Sequence, residues 1–443
     1  MPIRLYNSLS RIVEELTPRT EGSLSMFVCG PTVYDRIHLG NARTFTIFDV
    51  VAKWLRYRGF QVRYIQNITD IDDKIIRRAA EAGQDPLEFA RGYDELFRSD
   101  MKALGNTAVS DYLRATDYIP QVIQQVKTLR QRGHAYLIEG DGWYYDLSTF
   151  PDYGKLSGRT GGAAHDAISR IDDSEKKKNT GDFCLWKLSK PGEPVWQDAE
   201  LGDGRPGWHI EDTAITESAF GPQYDIHGGG MDLKFPHHEA EIAQQEAASG
   251  LEPFVKYWMH AGFLETKSEK MSKSTGNFAA LHDLLAQYDP AVIRFYLLSN
   301  HYRSPLNFDE KSLDTAQAAI NRIGELARKQ ATAENVSLTN IEEAMDDDFN
   351  TAAAFAAIFD IVKDTNKRGV VPSKSFFEFV SELFGIVPAT SDTTPNDVQQ
   401  LVEERQQARE AKDFVTSDKL RDAINALGYS IDDTPYGPLV KKK

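Results

Sequence analysis

Hydrophobic positions in the first 80 residues switch between two periods. Residues 24 to 29, Leu-Ser-Met-Phe-Val-Cys, form a short apolar run ending at Gly30-Pro31, the pattern of a buried strand that closes in a turn. Next, Phe45, Phe48, Val51, Ala52 and Leu55 recur at three- and four-residue spacing, which predicts a helix with one face on a sheet. Residues 61 to 66 alternate as a strand does, and the acidic stretch 70 to 73 precedes a helix starting near Lys74. Strand, helix, strand, helix is the opening of an open parallel α/β sheet.

Residues 115 to 205 hold a helix, a Gly140-Asp141-Gly142 hairpin turn and a polar stretch over 158 to 180, which predicts an insertion. Strand signals resume at 208 to 211, 224 to 227 and 255 to 259; residues 313 to 384 read as a helical bundle. The Pro- and Thr-rich stretch 388 to 396 reads as a linker to a last domain built on helices within 398 to 427. Gly202-Asp-Gly204-Arg-Pro-Gly207 fits G-x-G-x-x-G, but it precedes a strand and carries Pro206 where a helix should begin, so it reads as a loop.

A chain of 443 residues is too long for one core. Two cysteines, Cys29 and Cys184, exclude a disulfide scaffold and fit a reducing compartment. No apolar run of about 18 residues and no secretory leader pattern occurs, so the protein is expected to be cytoplasmic and off the membrane. The net charge of −15 argues against broad nucleic-acid binding. The acidic excess lies before residue 401, however, because residues 401 to 443 carry eight basic and eight acidic side chains.

Two motifs carry phosphate chemistry. In His38-Leu39-Gly40-Asn41, at a predicted helix start, an imidazole and an amide can donate to a polyphosphate, Gly40 allows close backbone approach, and the helix dipole adds positive potential. On its own, a His there is more often a cap. In Lys270-Met271-Ser272-Lys273-Ser274, two lysines three residues apart can clamp a departing pyrophosphate. Together they form the signature pair of class I aminoacyl-tRNA synthetases.

The sequence further resembles the cysteinyl-tRNA synthetases. The matching residues are Cys29-Gly-Pro-Thr-Val-Tyr-Asp35, the stretch from Asn67 to Ile75, Gly207-Trp-His-Ile-Glu211, Asp225-Ile-His-Gly-Gly-Gly230, Phe235-Pro-His-His-Glu239, Met345-Asp-Asp-Asp-Phe-Asn350 and Ala408-Arg-Glu-Ala-Lys-Asp413. The resemblance implies an α/β fold: a Rossmann-like catalytic domain in two halves (1–114 and 206–270) split by a connective insertion (115–205). A lysine-loop and stem-contact region (271–312), a helical bundle (313–387) and an anticodon-binding domain (388–443) follow. It also implies activation of cysteine with ATP and Mg2+, then transfer to tRNA, by a monomer.

Carried over residue by residue, the resemblance places phosphate chemistry on His38, Asn41, Lys270 and Lys273, and nucleotide binding on Thr32, Gly40, Gly229, Gly230 and Asp232. Asn41 replaces the usual second histidine of that motif. Thr69, Trp208 and His227 line the amino-acid pocket; Arg409, Arg421 and Asp433 read the anticodon, although the closing tryptophan of the family is absent. A Zn2+ site implied by the family falls on Cys29, Asp212, His237 and Glu241, with Asp212 where the family has a second cysteine. A carboxylate can hold zinc but gives a harder site than a thiolate. Asp212 therefore leaves three readings open: a zinc ligand, a residue binding no metal, or a partner for another substrate group such as an amine. The rivals to a cysteine–tRNA ligase are a paralogue for another amino acid, a cysteine-to-amine ligase of thiol metabolism, and a non-catalytic tRNA-binding protein. Cys184 matches no ligand position and reads as a buried apolar residue.

Overall fold

The computed structural model describes residues 2–159, 176–266, 269–270, 279–329, 331–387, 396–434 and 437–442. Its centre is a five-stranded sheet in which every pairing is parallel. The strands are β1 (Ser23–Val28), β2 (Gln61–Ile68), β3 (Asp111–Arg114), β8 (Tyr224–Gly230) and β9 (Val255–Ala261), in spatial order β9-β8-β1-β2-β3. Chain direction along the sheet reverses at β1, so a crevice opens between the carboxyl ends of β1 and β8, where doubly wound sheets bind ligands. Met26 lies opposite both Tyr64 and Ile226, and buried apolar residues on both faces account for the apolar runs in these strands.

Helix α1 (Leu39–Tyr57) follows β1 and presents its N-terminus to that crevice. It is buried on more than one side, which admits two charged residues, Arg43 and Asp49, to its interior positions. Arg43 donates to the carbonyls of Gly262, Phe263 and Ser304 at 2.6 to 2.8 Å. Asp49 accepts from the Thr107 and Ala108 backbone N–H groups at 2.8 Å and pairs with Arg294 and Lys53 at 2.8 Å. Arg294, itself 1% exposed, also donates to Asn106 Oδ1 and to the Phe384 carbonyl, both at 2.6 Å. This guanidinium ties α1 to the helix that carries it (Pro290–Leu298) and to the end of a bundle helix (Lys374–Phe384).

The insertion begins with α4 (Ile119–Gln131), which follows α2 (Asp73–Ala82) and α3 (Pro86–Leu104), and builds a four-stranded antiparallel sheet. Its strands run in order β4 (Ala135–Ile138), β5 (Gly142–Tyr145), β6 (Phe183–Leu188) and β7 (Gly204–Pro206), with the expected turn at Gly140 to Gly142 joining the first two. Tyr145, Phe183 and Trp186 share one apolar cluster with Phe27 and Ile65 of the parallel sheet, so the antiparallel sheet packs on the parallel one. Two readings are corrected here. Residues 204 to 206, expected in a loop, form the edge strand β7, where Pro206 is tolerated because an edge has one unpaired side. Residues 208 to 211, expected in a strand, are a turn leading into helix α5 (Ile210–Phe220); their apolar alternation reflects burial of the helix start.

Beyond residue 309, long helices pack as expected: Glu310–Arg328, Thr339–Asp346, Thr351–Arg368 and Lys374–Phe384. The last segment has helices Asn396–Glu410 and Phe414–Ala426 and the hairpin Tyr429–Thr434/Gly437–Lys442 over a small core of Val398, Ile424 and Ile431. The expected linker lies almost wholly outside the described residues. Among the described residues no helix is long and apolar enough to cross a membrane.

Burial alone would raise the Asp49 carboxyl, but the Arg294 and Lys53 charges outweigh it and hold it below the usual carboxylate range. Such a group stabilises the fold fully above its unfolded value, about pH 4, and loses that contribution as pH falls through the lower folded value. Arg294→Met leaves Lys53 as the one remaining ion-pair partner of Asp49 among the described residues and is expected to cost about 1.5–3 kcal/mol in denaturant unfolding at pH 7. The difference from wild type should shrink in acid once Asp49 is protonated.

Candidate active site

The turn after β1 and the N-terminus of α1 form one wall of a cleft of about 850 Å³. His38 is the N-cap of α1: its Nδ1 accepts from the Gly40 and Asn41 backbone N–H groups at 3.0 and 3.3 Å, while its own N–H donates to Asn41 Oδ1 at 3.4 Å. An accepting Nδ1 places the proton of a neutral imidazole on Nε2. His38 is thus both a cap and a donor of fixed tautomer. Thr32, Gly40, Asn41, Gly230 and Asp232 line the same cleft, and Gly229 lies beside Gly230 at the end of β8.

At the inner end, four side chains with possible ligand atoms converge. Cys29 follows β1, Asp212 lies in the first turn of α5, and His237 and Glu241 are one turn apart on α6 (His237–Ser249). One ligand atom from each falls within 4.8 Å of all the others. His237 Nε2 is 3.0 Å from Asp212 Oδ2 and 3.0 Å from Glu241 Oε1, and Cys29 Sγ is 3.9 Å from Glu241 Oε1. All four are buried.

Burial, then Glu241 and Asp212, push the Cys29 thiol up; burial, then Asp212, push the Glu241 carboxyl up. Asp212 Oδ1 is buried without a hydrogen-bond partner. Glu241 Oε2 also makes no hydrogen bond, and His227 Nδ1, 3.4 Å away, already faces the Tyr224 hydroxyl at 2.6 Å. A tetrad with one sulfur, one nitrogen and two carboxylate groups, and with orphaned oxygen atoms, fits a divalent cation such as zinc.

Imidazoles surround this tetrad. His237 Nδ1 is 2.7 Å from His209 Nδ1; Cys29 Sγ is 3.3 Å from His227 Nε2 and 3.2 Å from His238 Nε2; His238 Nδ1 is 2.9 Å from His260 Nε2. Burial pushes His209, His227 and His238 well below the usual imidazole range and His260 down to about 3. His209, His238 and His260 were not singled out from the sequence. Two of them stand inside the quoted motifs, but only the fold brings β9 and its His260 beside α6.

Trp208 stacks on His237 with centroids 4.5 Å apart, and Thr69 lines the cleft next to Thr32, with which it forms a parallel bridge. Arg409 and Arg421 lie on the two terminal helices, and Asp433 pairs with Pro438 through the hairpin backbone. Lys270 is described only as part of the two-residue strand Glu269–Lys270, and Lys273 lies outside the described residues. Cys184 is buried in β6.

Residues 15–318 match the family model described as tRNA synthetases class I (C) catalytic domain, and residues 340–374 match a DALR domain. The chain is 41% identical to a cysteine–tRNA ligase of Heliobacterium modesticaldum, with 100% of both chains covered. It is 42% identical to that of Thermococcus onnurineus, over 100% of this chain and 99% of the relative. The chain belongs to the cysteine–tRNA ligase family. The fold of this family member is similar to that of Mycobacterium tuberculosis methionyl-tRNA synthetase in complex with methionyl-adenylate (TM-score 0.59, 16% identity, 78% of this chain and 83% of that one). It is also similar to Agrobacterium radiobacter K84 agnB2 LeuRS in a ternary complex with tRNA and LeuAMS (TM-score 0.58, 11% identity, 80% and 81% covered). Both likenesses support a Rossmann-like class I synthetase fold.

Gly30 fixes the approach of β1 to β2 beside Cys29. Its N–H donates to Asn67 Oδ1 at 2.5 Å, and a Cβ there would stand 1.7 Å from the Asn67 carbonyl oxygen. Gly30→Ala must therefore part the two strand ends, and a loss of about 2 kcal/mol or more is expected in thermal or denaturant unfolding. Gly59→Ala, where a Cβ meets nothing within 4 Å but φ is +94°, isolates the backbone penalty for comparison.

Proposed function

We propose that this family member activates cysteine with Mg-ATP and transfers it to tRNA. The observation that carries the reading is the convergence of Cys29, Asp212, His237 and Glu241 at the inner end of a cleft whose wall is the His38-capped helix N-terminus. In the first step a carboxylate oxygen of the amino acid bonds to the α-phosphorus of ATP, and the bond from that phosphorus to its bridging oxygen breaks, releasing pyrophosphate. In the second, a terminal ribose hydroxyl of tRNA attacks the acyl carbon and AMP leaves.

His38 Nε2–H and the Asn41 amide, at the positive end of α1, donate to phosphate oxygens as their charge shifts. Lys270 and Lys273 neutralise the pyrophosphate, and Gly229, Gly230 and Asp232 hold the adenosine. Thr69, Trp208 and His227 enclose the amino acid; Arg409, Arg421 and Asp433 contact unstacked anticodon bases. Cys29, Asp212, His237 and Glu241 would hold a zinc ion, which would supply a Lewis acid that selects the thiol side chain. The reading is completed by a monomer working in the cytoplasm. The bundle and terminal helices, Glu310 to Ala426, favour it over a cysteine-to-amine ligase, which has no use for an anticodon domain.

Amino-acid-dependent ATP–pyrophosphate exchange with cysteine, serine and 2,3-diaminopropionate, run beside metal analysis, tests the proposal. Cysteine should dominate with one zinc per chain, and chelation should erode its advantage over serine. Asp212→Cys should sharpen the cysteine preference. A preference for diaminopropionate would move the activity to an amine-bearing substrate, and metal-free protein that still selects cysteine would remove the role of the tetrad.

A further inference from the structure

The stretch Met345-Asp346-Asp347-Asp348-Phe349-Asn350 has no part in the mechanism above. It spans the end of helix Thr339–Asp346 and the turn into helix Thr351–Arg368. Two consecutive residues of the turn, Asp348 and Phe349, hold φ at +60° and +51°, a left-handed conformation that a side chain as large as phenylalanine rarely adopts. Such a backbone persists only where its surroundings hold it, and both residues are buried, at 4% and 1% exposed. The turn thereby directs a buried carboxylate at the segment that leads into the sheet carrying Lys270.

The two oxygens of Asp348 hold different partners. Oδ1 accepts from the Tyr6 N–H and from the Tyr302 hydroxyl, both at 2.8 Å. Oδ2 accepts from Arg303 Nε at 2.8 Å and pairs with Arg303 Nη2 at 2.6 Å, with His301 Nε2 at 3.5 Å. Only Ser304 and Pro305 separate Arg303 from the strand Leu306–Asn307, which pairs in parallel with Leu264–Thr266. The Tyr302 carbonyl accepts from the Gly262 N–H at 2.8 Å, and the Ser304 carbonyl accepts from Arg43 of α1 at 2.6 Å. In the resulting sheet Glu265 stands opposite Asn307 on one side and Lys270 on the other.

We infer that Asp348 is a positioning residue of the activation step: by holding Tyr302 and Arg303 it fixes the three-stranded sheet whose edge strand carries Lys270. This rests on the activation reading and deepens it, because a lysine neutralises the departing pyrophosphate only from the right place. A displacement of about 1 Å, caused far from the chemistry, can cost about 100-fold in rate. In Asp348→Asn, Oδ1 keeps its contacts with Tyr6 and Tyr302 while the amide N–H₂ faces the Arg303 guanidinium, donor against donor. The Arg303 arm alone is broken, and asparagine tolerates the left-handed φ.

The test is cysteine-dependent ATP–pyrophosphate exchange by the full chain, normalised by active-site titration so that loss of folded protein is counted separately. Asp348→Asn and Arg303→Met are each expected to lower kcat about 10- to 100-fold while KM for cysteine stays within about twofold. Arg303→Lys should recover part of that loss, since an ammonium still pairs with Oδ2 as a point charge. The Arg303 side chain is 38% exposed, so its variants carry the test if Asp348→Asn fails to fold. The deciding measurement repeats Asp348→Asn in a Lys270→Gln background, where exchange should fall by less than about twofold further. A second loss of about 10-fold there overturns the inference, as does a raised KM for cysteine with kcat intact. A wild-type chain without cysteine-dependent exchange counts against the activation reading instead.

Discussion

The site depends on the placement of one helix, and that placement depends on a buried ion pair. Asp49 lies near the middle of α1, with Arg294 and Lys53 on its carboxylate and two backbone N–H groups on its other oxygen. Six residues earlier, Arg43 grips three carbonyls in the segments on either side of the lysine loop. These groups exclude sliding or rotation of α1, because either motion would leave a buried charge without its partners. The His38 and Asn41 end of α1 therefore stands at a fixed distance from the end of β1. On the proposed activation reading, phosphate chemistry at one and side-chain recognition at the other would operate on a single bound molecule.

The inner pocket shows the opposite economy. The α1 charges are paired, whereas Cys29 and Glu241 are crowded with Asp212 in a desolvated space that pushes the first two toward their neutral forms. Neighbouring imidazoles do not relieve this, since burial keeps His209, His227 and His238 uncharged as well. The α1 ion pairs satisfy one another, whereas this cluster leaves Asp212 Oδ1 and Glu241 Oε2 buried without hydrogen-bond partners.

Much of this was legible in the sequence, for local reasons. The periods of residues 24 to 66 carried the first two strands and α1, because a buried parallel sheet and the helix packed on it leave separate apolar rhythms. The tetrad followed from motif positions, and the structure brings those four residues together across β1, α5 and α6. The reading failed where burial removed the rhythm. Residues 208 to 211 start a helix whose first turns are almost entirely buried, so no polar face marks its period. Gly204 to Pro206 pairs as an edge strand through contacts with β6, some 16 residues earlier in the chain, which no local pattern announces. The buried contact of Glu211 with Thr69, 142 residues away in sequence, is likewise invisible to any local pattern.

Asp212 can be weighed on atoms as well as on softness. A thiolate at this position would bring one negative charge and one ligand atom. The carboxylate brings the same charge on two atoms, of which Oδ2 meets His237 at 3.0 Å and Oδ1 meets nothing. A buried oxygen left without a partner costs about 1–3 kcal/mol, so the replacement is neutral only if something in the working enzyme satisfies it. Two groups have the chemistry to do so: a cation that takes both oxygens, or a donor on the substrate. Either way, Asp212 Oδ1 joins Glu241 Oε2 as a buried acceptor that a bound group would satisfy.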